Sequence, residues 1–367
     1  MLRKIRITLA TIFLLGLSLL FLDFTGTAHT WLGWMAKMQA LEAILALNVV
    51  VIIALAVLTF VFGRIYCSVI CPLGILQDVF AWLGRKAKKN RYSYSPEVRW
   101  LRYTMFALMV VAFIAGIGSI VQLLAPYSAF GRIMTMLFQP LWKLGNNVLA
   151  SMAERADSYA FYTVDVWMKS LPVLIIACAT LVVLFVLAWR GGRTYCNTIC
   201  PVGTLLSLLS RFSLLKINFD KDKCRNCSLC TKNCKASCID YKTHTVDHSR
   251  CVVCGNCISK CKFGALKYDI PRLHNAHHEA PDTEKRSFLL ATAMLTTTAL
   301  AQEKLVDGGL AAIKAKQSPQ RLTPLTPPGS LSAQNMARRC TGCQLCVSEC
   351  PNDVLRPSPS LMNLMQP

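Results

Sequence analysis

The stretch CRNCSLCTKNCKASCIDYKTHTVDHSRCVVCGNCISKC, residues 224–261, decides the fold of the cysteine-rich part of this chain. It contains two runs of identical spacing, Cys224-x2-Cys227-x2-Cys230-x3-Cys234 and Cys251-x2-Cys254-x2-Cys257-x3-Cys261. Three thiolates of such a run can bind three irons of one [4Fe–4S] cube from a single tight loop, and the fourth binds the neighbouring cluster. Zinc sites usually combine two separated cysteine pairs, and the chain has no Cys-x2-Cys-His motif for haem attachment. The spacing therefore predicts iron–sulfur clusters.

The paired runs closely resemble the motif of bacterial two-cluster ferredoxins. The resemblance implies one cluster held by Cys224, Cys227, Cys230 and Cys261, and a second held by Cys251, Cys254, Cys257 and Cys234. Lys235 and Lys262 stand where such ferredoxins usually have a proline. The additional Cys238 could replace Cys234 as a ligand.

A third run of the same spacing lies near the C-terminus and keeps its proline: Cys340-x2-Cys343-x2-Cys346-x3-Cys350-Pro351. No complementary run follows it. It could hold one cluster with its own four cysteines, borrow a ligand from a partner, or belong to a chain cut short. We expect an incomplete array in a shortened chain, because the apolar tail Leu361–Met365 is an unusual natural ending.

A different cysteine motif occurs twice. The sequence GRIYCSVICPLG, residues 63–74, reappears as GRTYCNTICPVG, residues 192–203, with eight of twelve positions identical. Cysteines four residues apart on a helical turn face the same way, and internal repeats in membrane proteins often build a site at their interface. Together the copies would supply four thiolates to a shared metal centre, from Cys67, Cys71, Cys196 and Cys200. Redox-active dithiols and structural thiols are the alternatives, and the lone Cys178 is predicted to be a buried hydrophobe.

Composition places these motifs in a membrane protein. The 367 residues are 54% hydrophobic and only 16% charged, with a net charge of +21 and a mean hydropathy of +0.42. A basic excess in so apolar a chain is typical of positive flanks around membrane helices rather than of a nucleic-acid surface. The 18 cysteines fall almost entirely in tight arrays, which favours metal ligation in a reducing compartment over a disulfide framework. A soluble enzyme, a disordered protein and a secreted disulfide scaffold are excluded.

Four apolar segments are long enough to predict membrane spans, at residues 7–22, 41–62, 101–124 and 171–189. The N-terminus and the strongly basic stretch 85–102 are predicted to be cytoplasmic by the positive-inside rule, whereas loop 125–170, with a balance of only +1, should face outward. The first segment could instead be a cleaved signal peptide. That alternative is not favoured, because no clean cleavage site precedes Trp31 and its removal would put the 85–102 charges on the wrong side.

The predicted fold class is mainly α: a four-helix transmembrane region, a small α+β two-cluster ferredoxin domain and a third ferredoxin-like array. The predicted division of the chain follows from the motifs. It consists of transmembrane helices in 1–62, a first cysteine motif and basic loop in 63–100, transmembrane helices in 101–190, the second motif in 191–215, the ferredoxin domain in 216–272, a linker in 273–335 and the third array in 336–367.

The linker contains Glu284-Lys285-Arg286-Ser287-Phe288 followed by an apolar stretch to Ala301. This segment, 284–301, resembles a variant twin-arginine export signal, which would place the third array outside the cytoplasmic membrane. A short half-buried helix is the alternative, since about 14 apolar residues are too few to span untilted. The histidines between Pro271 and Pro281 are predicted to belong to a solvated loop rather than to a metal site.

Taken together, the spans, the repeated Cys-x3-Cys-Pro motif and the ferredoxin runs, over residues 1–270, resemble the NapH/NosR type of membrane-bound polyferredoxin. The resemblance implies a multi-pass protein of the bacterial cytoplasmic membrane that passes electrons through 4Fe–4S clusters between the quinone pool or cytoplasmic donors and a partner reductase. Membrane lipid and redox partner proteins are the implied partners, and a quinone is a further candidate cofactor. No nucleic-acid partner is expected. No catalytic residue constellation is recognisable in the sequence, which favours an electron carrier. An iron–sulfur sensor or a maturation factor is the alternative function.

Overall fold

The computed structural model describes residues 2–88, 92–155, 161–166 and 170–270, with 330, 332, 335–336, 339–350, 355 and 357 towards the C-terminus. The predicted export signal at 284–301, the histidines at 274–278, most of the linker and the tail after Pro357 lie outside the described residues.

The described chain is mostly helical, as predicted. Its N-terminal helices are α1 Leu2–Leu22, α2 Thr27–Lys37, α3 Ala40–Leu45, α4 Val49–Phe62, α5 Tyr66–Val69 and α6 Pro72–Lys88. They are followed by α7 Arg99–Ile114, α8 Gly118–Leu124, α9 Pro126–Ile133, a π-helical turn Met134–Phe138, α10 Gln139–Arg155, α11 Leu171–Gly191, α12 Thr194–Thr198 and α13 Pro201–Ser210.

The prediction of four continuous spans is wrong for the second and third of them. Within the described ranges, α1 and α11 are long and apolar enough to cross a membrane. A third span is reached only if α8 and the helical segment Pro126–Arg155, which meet at an angle of 78°, count as one. Segment 41–62 breaks after α3, where Leu47 has a φ of 52° and Asn48 caps α4. Segment 101–124 breaks at Gly116, whose φ is 73°. The remaining 14 residues of α4 and 16 of α7 are each shorter than the roughly 20 residues a span needs.

The described part of segment 125–170, predicted to be an outward-facing loop, is largely helical. The side of the membrane that it faces stays a prediction. Pro126 occupies the first turn of α9, where its missing N–H costs no hydrogen bond. All residues of α9 are buried, and this short helix packs between α6 and α11. The sequence does not predict this helix, because a buried helix of eight residues has no polar face and so lacks the amphipathic periodicity that indicates a helix.

The ferredoxin region is small, and its first and last strands pair with each other. Strand β1, Lys216–Phe219, lies antiparallel to β4, Leu266–Asp269, with Lys216 opposite Asp269. Between them lie the two-residue strands β2 Ile239–Asp240 and β3 Thr245–Val246 and the helices α14 Leu229–Lys232 and α15 Asn256–Lys260. A last helix, α16 Leu345–Glu349, belongs to the third array. These short elements form around the cysteine runs, whose side chains supply much of the local core.

Candidate iron–sulfur sites

The three ferredoxin-type runs share one backbone conformation around their second cysteine. The residues before it, Asn226, Val253 and Gly342, and the residues after it, Ser228, Gly255 and Gln344, all have positive φ, between 49° and 71°. A β-branched residue such as Val253 adopts this region only under strain, and such strain collects at functional sites. Left-handed residues alternating with others turn successive N–H groups into one concavity, a common design of Fe–S sites. The backbone of all three runs therefore fits a cluster.

The four predicted ligands of the first cluster line one cavity. Cys224, Cys227, Cys230 and Cys261 meet there, with Phe219, Tyr241 and Phe263 completing the wall. Cys227 is exposed, whereas Cys230 is buried. Arg225 lies over the ring of Phe263 with 5.1 Å to its centroid. This site therefore opens to the surface on one side.

The predicted ligands of the second cluster are also brought together, and all four are buried: Cys234, Cys251, Cys254 and Cys257. The additional Cys238 lies beside them, its sulfur 3.5 Å from that of Cys234. A hydrogen bond from Cys238 lowers the pKa of Cys234 to about 7, and the same bond raises the pKa of Cys238. The hydrogen bond with Cys238 thus favours ionisation of Cys234 over that of Cys238.

The two Cys-x3-Cys-Pro motifs converge on one buried group of four sulfurs. Cys67, Cys71, Cys196 and Cys200 are each at most 4% exposed, and they lie close enough for their charges to interact. Burial raises the pKa of Cys71 and Cys200, and it raises that of Cys196 to about 11. Without a metal, the thiols of Cys71, Cys196 and Cys200 are therefore protonated and uncharged at neutral pH.

Each copy of the repeat has one arginine that hydrogen-bonds to the other copy. Arg64 of the first copy donates to the carbonyl oxygen of Cys196 at 3.1 Å, and Arg193 of the second copy donates to that of Cys67. Both side chains have 0% exposure. Among the described residues, Arg64 Nε and Arg193 Nη2 have no hydrogen-bond partner. Two buried guanidinium groups, each with one unsatisfied nitrogen beside the four thiols, fit a centre that is anionic once the thiols are deprotonated by a metal.

Two glycines of the repeat make this exchange possible. A Cβ added to Gly74 would lie 2.3 Å from the carbonyl oxygen of Cys67. A Cβ on Gly203 would lie 2.3 Å from the carbonyl oxygen of Cys196 and 2.8 Å from Arg64 Nη2. The absence of a side chain at Gly74 therefore leaves room for Arg193 at the carbonyl oxygen of Cys67. Gly203 likewise leaves room for Arg64 at the carbonyl oxygen of Cys196.

A buried carboxylate joins the repeat to the ferredoxin region. Asp78 of α6 forms ion pairs with Arg6 and Arg193, both at 2.8 Å, and with Lys235 at 3.3 Å. Burial alone would raise the pKa of Asp78, but Arg193, Lys235 and Arg6 hold it well below its usual range. The backbone carbonyl of Lys235 also accepts a hydrogen bond from the backbone N–H of Arg193 at 2.9 Å. What the lysine adds at the position of the usual proline is the ion pair of its ammonium group with Asp78.

The third array packs against α8 to α10 instead of the other runs. Gln122 donates to the carbonyl of Cys340 at 3.2 Å, Thr135 to the side-chain oxygen of Gln344 at 3.0 Å, and Gln139 to the carbonyl of Ser348 at 3.3 Å. Cys340, Cys343 and Cys346 lie close together, and Cys350 ends the run. The expectation that this array is incomplete stays a prediction.

No three His, Cys, Asp or Glu side chains in the described part of the chain are arranged to hold a metal ion. That does not contradict a cube, because each thiolate of a [4Fe–4S] site binds a different iron and the ligands stand apart. Cys178, predicted to be buried, is instead exposed on α11 and belongs to none of the groups. Sequence reasoning did not assign roles to Asp78, Arg64 and Arg193, although the identity of both arginines in the repeat could have pointed to them.

Comparison with known families assigns iron–sulfur binding to the same regions. A 4Fe–4S binding domain matches residues 44–91 and 171–220, which contain the two copies of the repeat. A 4Fe–4S dicluster domain matches residues 247–354, from the second ferredoxin run to the third array. That match crosses undescribed residues, and the structure pairs the second run with the first instead.

Among the individual relatives, MauN and NapH carry ferredoxin-type names. The chain is 25% identical over 216 residues to an uncharacterised protein of Methanocaldococcus jannaschii, covering 57% of this chain and 66% of the relative. It is 28% identical to the methylamine utilization ferredoxin-type protein MauN of Paracoccus denitrificans, over 47% of this chain and 48% of the relative. It is 27% identical to the ferredoxin-type protein NapH of Escherichia coli, over 47% of each.

The alignments cover only part of each relative. The chain spans about two thirds of the first relative and about half of MauN and NapH. No solved structure matches the chain. The predicted resemblance to 4Fe–4S polyferredoxins of the NapH type is confirmed by the domains and by the relatives.

Proposed function

We propose that this chain, a NapH-like ferredoxin-type 4Fe–4S protein, is a membrane-associated electron carrier. The observation that carries the proposal is the convergence of its cysteines into groups that pack against one another, the ferredoxin region being tied to the repeat through Asp78 and Lys235. A bound [4Fe–4S] cluster takes up and gives back one electron. The protein's part is to hold the ligands, bury the charge and place one group next to another.

Four groups of cysteines are the proposed ligand sets: two in the ferredoxin region, one in the repeat and one in the third array. The first ferredoxin-region set is Cys224, Cys227, Cys230 and Cys261. The second is Cys251, Cys254, Cys257 and Cys234. We assign Cys234 rather than Cys238 as a ligand, because the hydrogen bond between them favours the Cys234 thiolate. Cys238 then acts as a donor to a ligand sulfur, and such hydrogen bonds raise cluster potentials.

The repeat is proposed to form one further four-thiolate centre rather than two dithiols. The crossed contacts of Arg64 and Arg193 fix the two copies in one relative position. Gln77 donates to the sulfur of Cys196 at 3.3 Å, and the backbone N–H of Gly203 donates to that of Cys200 at 3.4 Å. Donors aimed at the sulfurs stabilise thiolates, which is what metal ligation requires.

The first cluster site is the proposed contact with a soluble redox partner. It is the group with an exposed cysteine, and the surrounding exposed residues are mainly basic. They are Lys221, Lys223, Arg225, Lys260 and Lys262, with Asp222 among them. The partner that fits this face is an acidic electron carrier, whose association would weaken as salt screens the charges.

The membrane assignment rests on α1 and α11 and on the placement of basic residues. We propose that the N-terminus and the ferredoxin region face the cytoplasm, since Arg3, Lys4 and Arg6 lie at the ferredoxin end of α1.

The experiment is anaerobic reduction of the purified chain by a low-potential ferredoxin and, separately, by a quinol, followed by EPR spectroscopy and reoxidation. A Cys254→Ser variant identifies the ferredoxin-region signals, and Cys178→Ser is the matched control outside every group. Reversible reduction within seconds, lost in part in Cys254→Ser, is expected. Clusters that neither donor reduces, or that break down on reoxidation, would favour the sensor alternative.

A further inference from the structure

The two ends of α1 contact different cysteine arrays. A helix of 21 residues is about 30 Å long, close to the hydrocarbon thickness of a bilayer. At its start, Arg3 lies beside Gly255 of the ferredoxin region, with 3.6 Å between its Cα and a Cβ placed on the glycine. Near its end, the ring of Phe21 packs against Phe130 of α9 at a centroid distance of 6.0 Å.

The third array lies at the second of these ends. Gly131 fits between Phe21 and the backbone of Cys343, since a Cβ on this glycine would be 2.9 Å from the ring and 2.2 Å from the carbonyl oxygen of Cys343. His29, which follows α1, lies 3.3 Å from Glu349 at the end of α16. These contacts place the Cys340–Cys350 run beyond the last turn of α1.

The other candidate span, α11, gives the same order independently. Its C-terminal end leads into Arg193, whose N–H binds the carbonyl of Lys235 in the ferredoxin region. Its N-terminal half packs Val173 and Ala177 against Met136 of the π-helical turn. The neighbouring Thr135 and Gln139 are the residues that hydrogen-bond to the third array.

We propose that the third array is a redox site on the opposite side of the membrane from the ferredoxin domain, with the repeat's four-cysteine centre between them. In the described part of the chain, the two helices long enough to span are α1 and α11. Each lies against the ferredoxin region at one end and against the segment that holds the third array at the other. The export-like segment 284–301 precedes the third array in sequence and would account for its transfer to that side. This inference rests on the cluster binding proposed above, and it adds that electrons cross the membrane from the ferredoxin side to the third array.

The region between the repeat's centre and the third array is packed and polar. Arg132 has 0% exposure and donates to the carbonyl of Gln122 at 2.9 Å and to Ser128 at 3.0 Å. It lies close enough to both Tyr195, next to Cys196, and Cys343 for their charges to interact. One electron from a low-potential donor on the ferredoxin side would thus reduce an acceptor on the other side by one electron. No bond is formed or broken.

The test uses the full chain in membrane vesicles of known orientation and an impermeant dysprosium chelate, which broadens the EPR signals of clusters near it. The signal missing in Cys227→Ser marks the ferredoxin domain, and the signal missing in Cys346→Ser marks the third array. Cys178→Ser is the control that keeps both. Each signal should broaden only when the chelate is on its own side, and the two sides should be opposite.

Broadening of both signals from one side would overturn the proposal. So would a Cys346→Ser variant that retains every signal and the full iron content, because the third array would then hold no redox centre. Folding of that variant is checked by its Cys227-dependent signal. Sidedness is read whether or not a donor reduces the chain at a useful rate, so its outcome is separate from that of the proposed electron transfer.

Discussion

Replacing Asp78 with asparagine should strongly destabilise the fold, because its ion pairs connect α6 with α1, the repeat and the ferredoxin region. The substitution is nearly isosteric, but it removes the negative charge that three cations share at 2.8 to 3.3 Å. Arg193 is fully buried and the Asp78 side chain is only 10% exposed. Removing one partner of a buried ion pair typically costs about 3–5 kcal/mol, since it leaves uncompensated charge. We expect a loss in this range.

The pH dependence follows from the same contacts. The folded-state pKa of Asp78 is held below its ordinary value, so the carboxylate's contribution is present at all pH values above the usual aspartate range. It is lost as the pH falls through that range towards the depressed pKa. Asp78→Asn should therefore lower the stability at pH 7 and lose its effect only in strong acid.

The assay is denaturant unfolding in detergent, followed by tryptophan fluorescence and by loss of cluster absorbance. Asp220→Asn is the matched control, because its ion pair joins a partly exposed carboxylate to the exposed side chain of Lys223, and ion pairs at the surface contribute little. If Asp78→Asn unfolded at the same denaturant concentration as the control, the reasoning about the buried network would be refuted.

Three further outcomes are expected. Gly203→Ala should lower the iron content, because its Cβ would meet a backbone oxygen at 2.3 Å, whereas Gly145→Ala, with nothing within 4 Å, should leave it unchanged; equal iron contents would speak against the glycine's role. Alanine replacement of both cysteines in either copy of the repeat should abolish the same EPR signal, with little added by the quadruple variant; additive effects would indicate independent sites. Cys238→Ala should retain the clusters but lower the potential of one, measured by redox titration, and loss of that cluster would instead make Cys238 the ligand.

The cysteine groups were the most predictable part of this protein. Spacing predicted three ligands of each ferredoxin-region group, because they lie in one short run. The exchange of Cys234 and Cys261 between the runs was implied by the resemblance to two-cluster ferredoxins, and the pairing of the repeat by the identity of its two copies. The backbone at Val253 was not predictable, since nothing in a β-branched residue indicates a φ of 49°. Only the geometry of the site requires it.

The helices of the membrane region were predicted less well. A hydropathy pattern does not show a break at Leu47, because leucine is apolar whether its φ is negative or, as here, 52°. The buried ion pairs of Asp78 were equally hidden, since they join residues separated by 72, 115 and 157 positions along the chain. Such contacts are set by tertiary packing and not by local sequence.

The central claim is that the ferredoxin region holds two redox-active [4Fe–4S] clusters. The most direct test is iron and sulfide analysis of the anaerobically purified full chain beside a Cys227→Ser, Cys254→Ser double variant, with redox titration of the lost EPR signals. The account predicts about eight irons fewer in the double variant and signals in the parent that appear and disappear reversibly with one electron each. Equal iron contents, or zinc in place of iron in the parent, would contradict it.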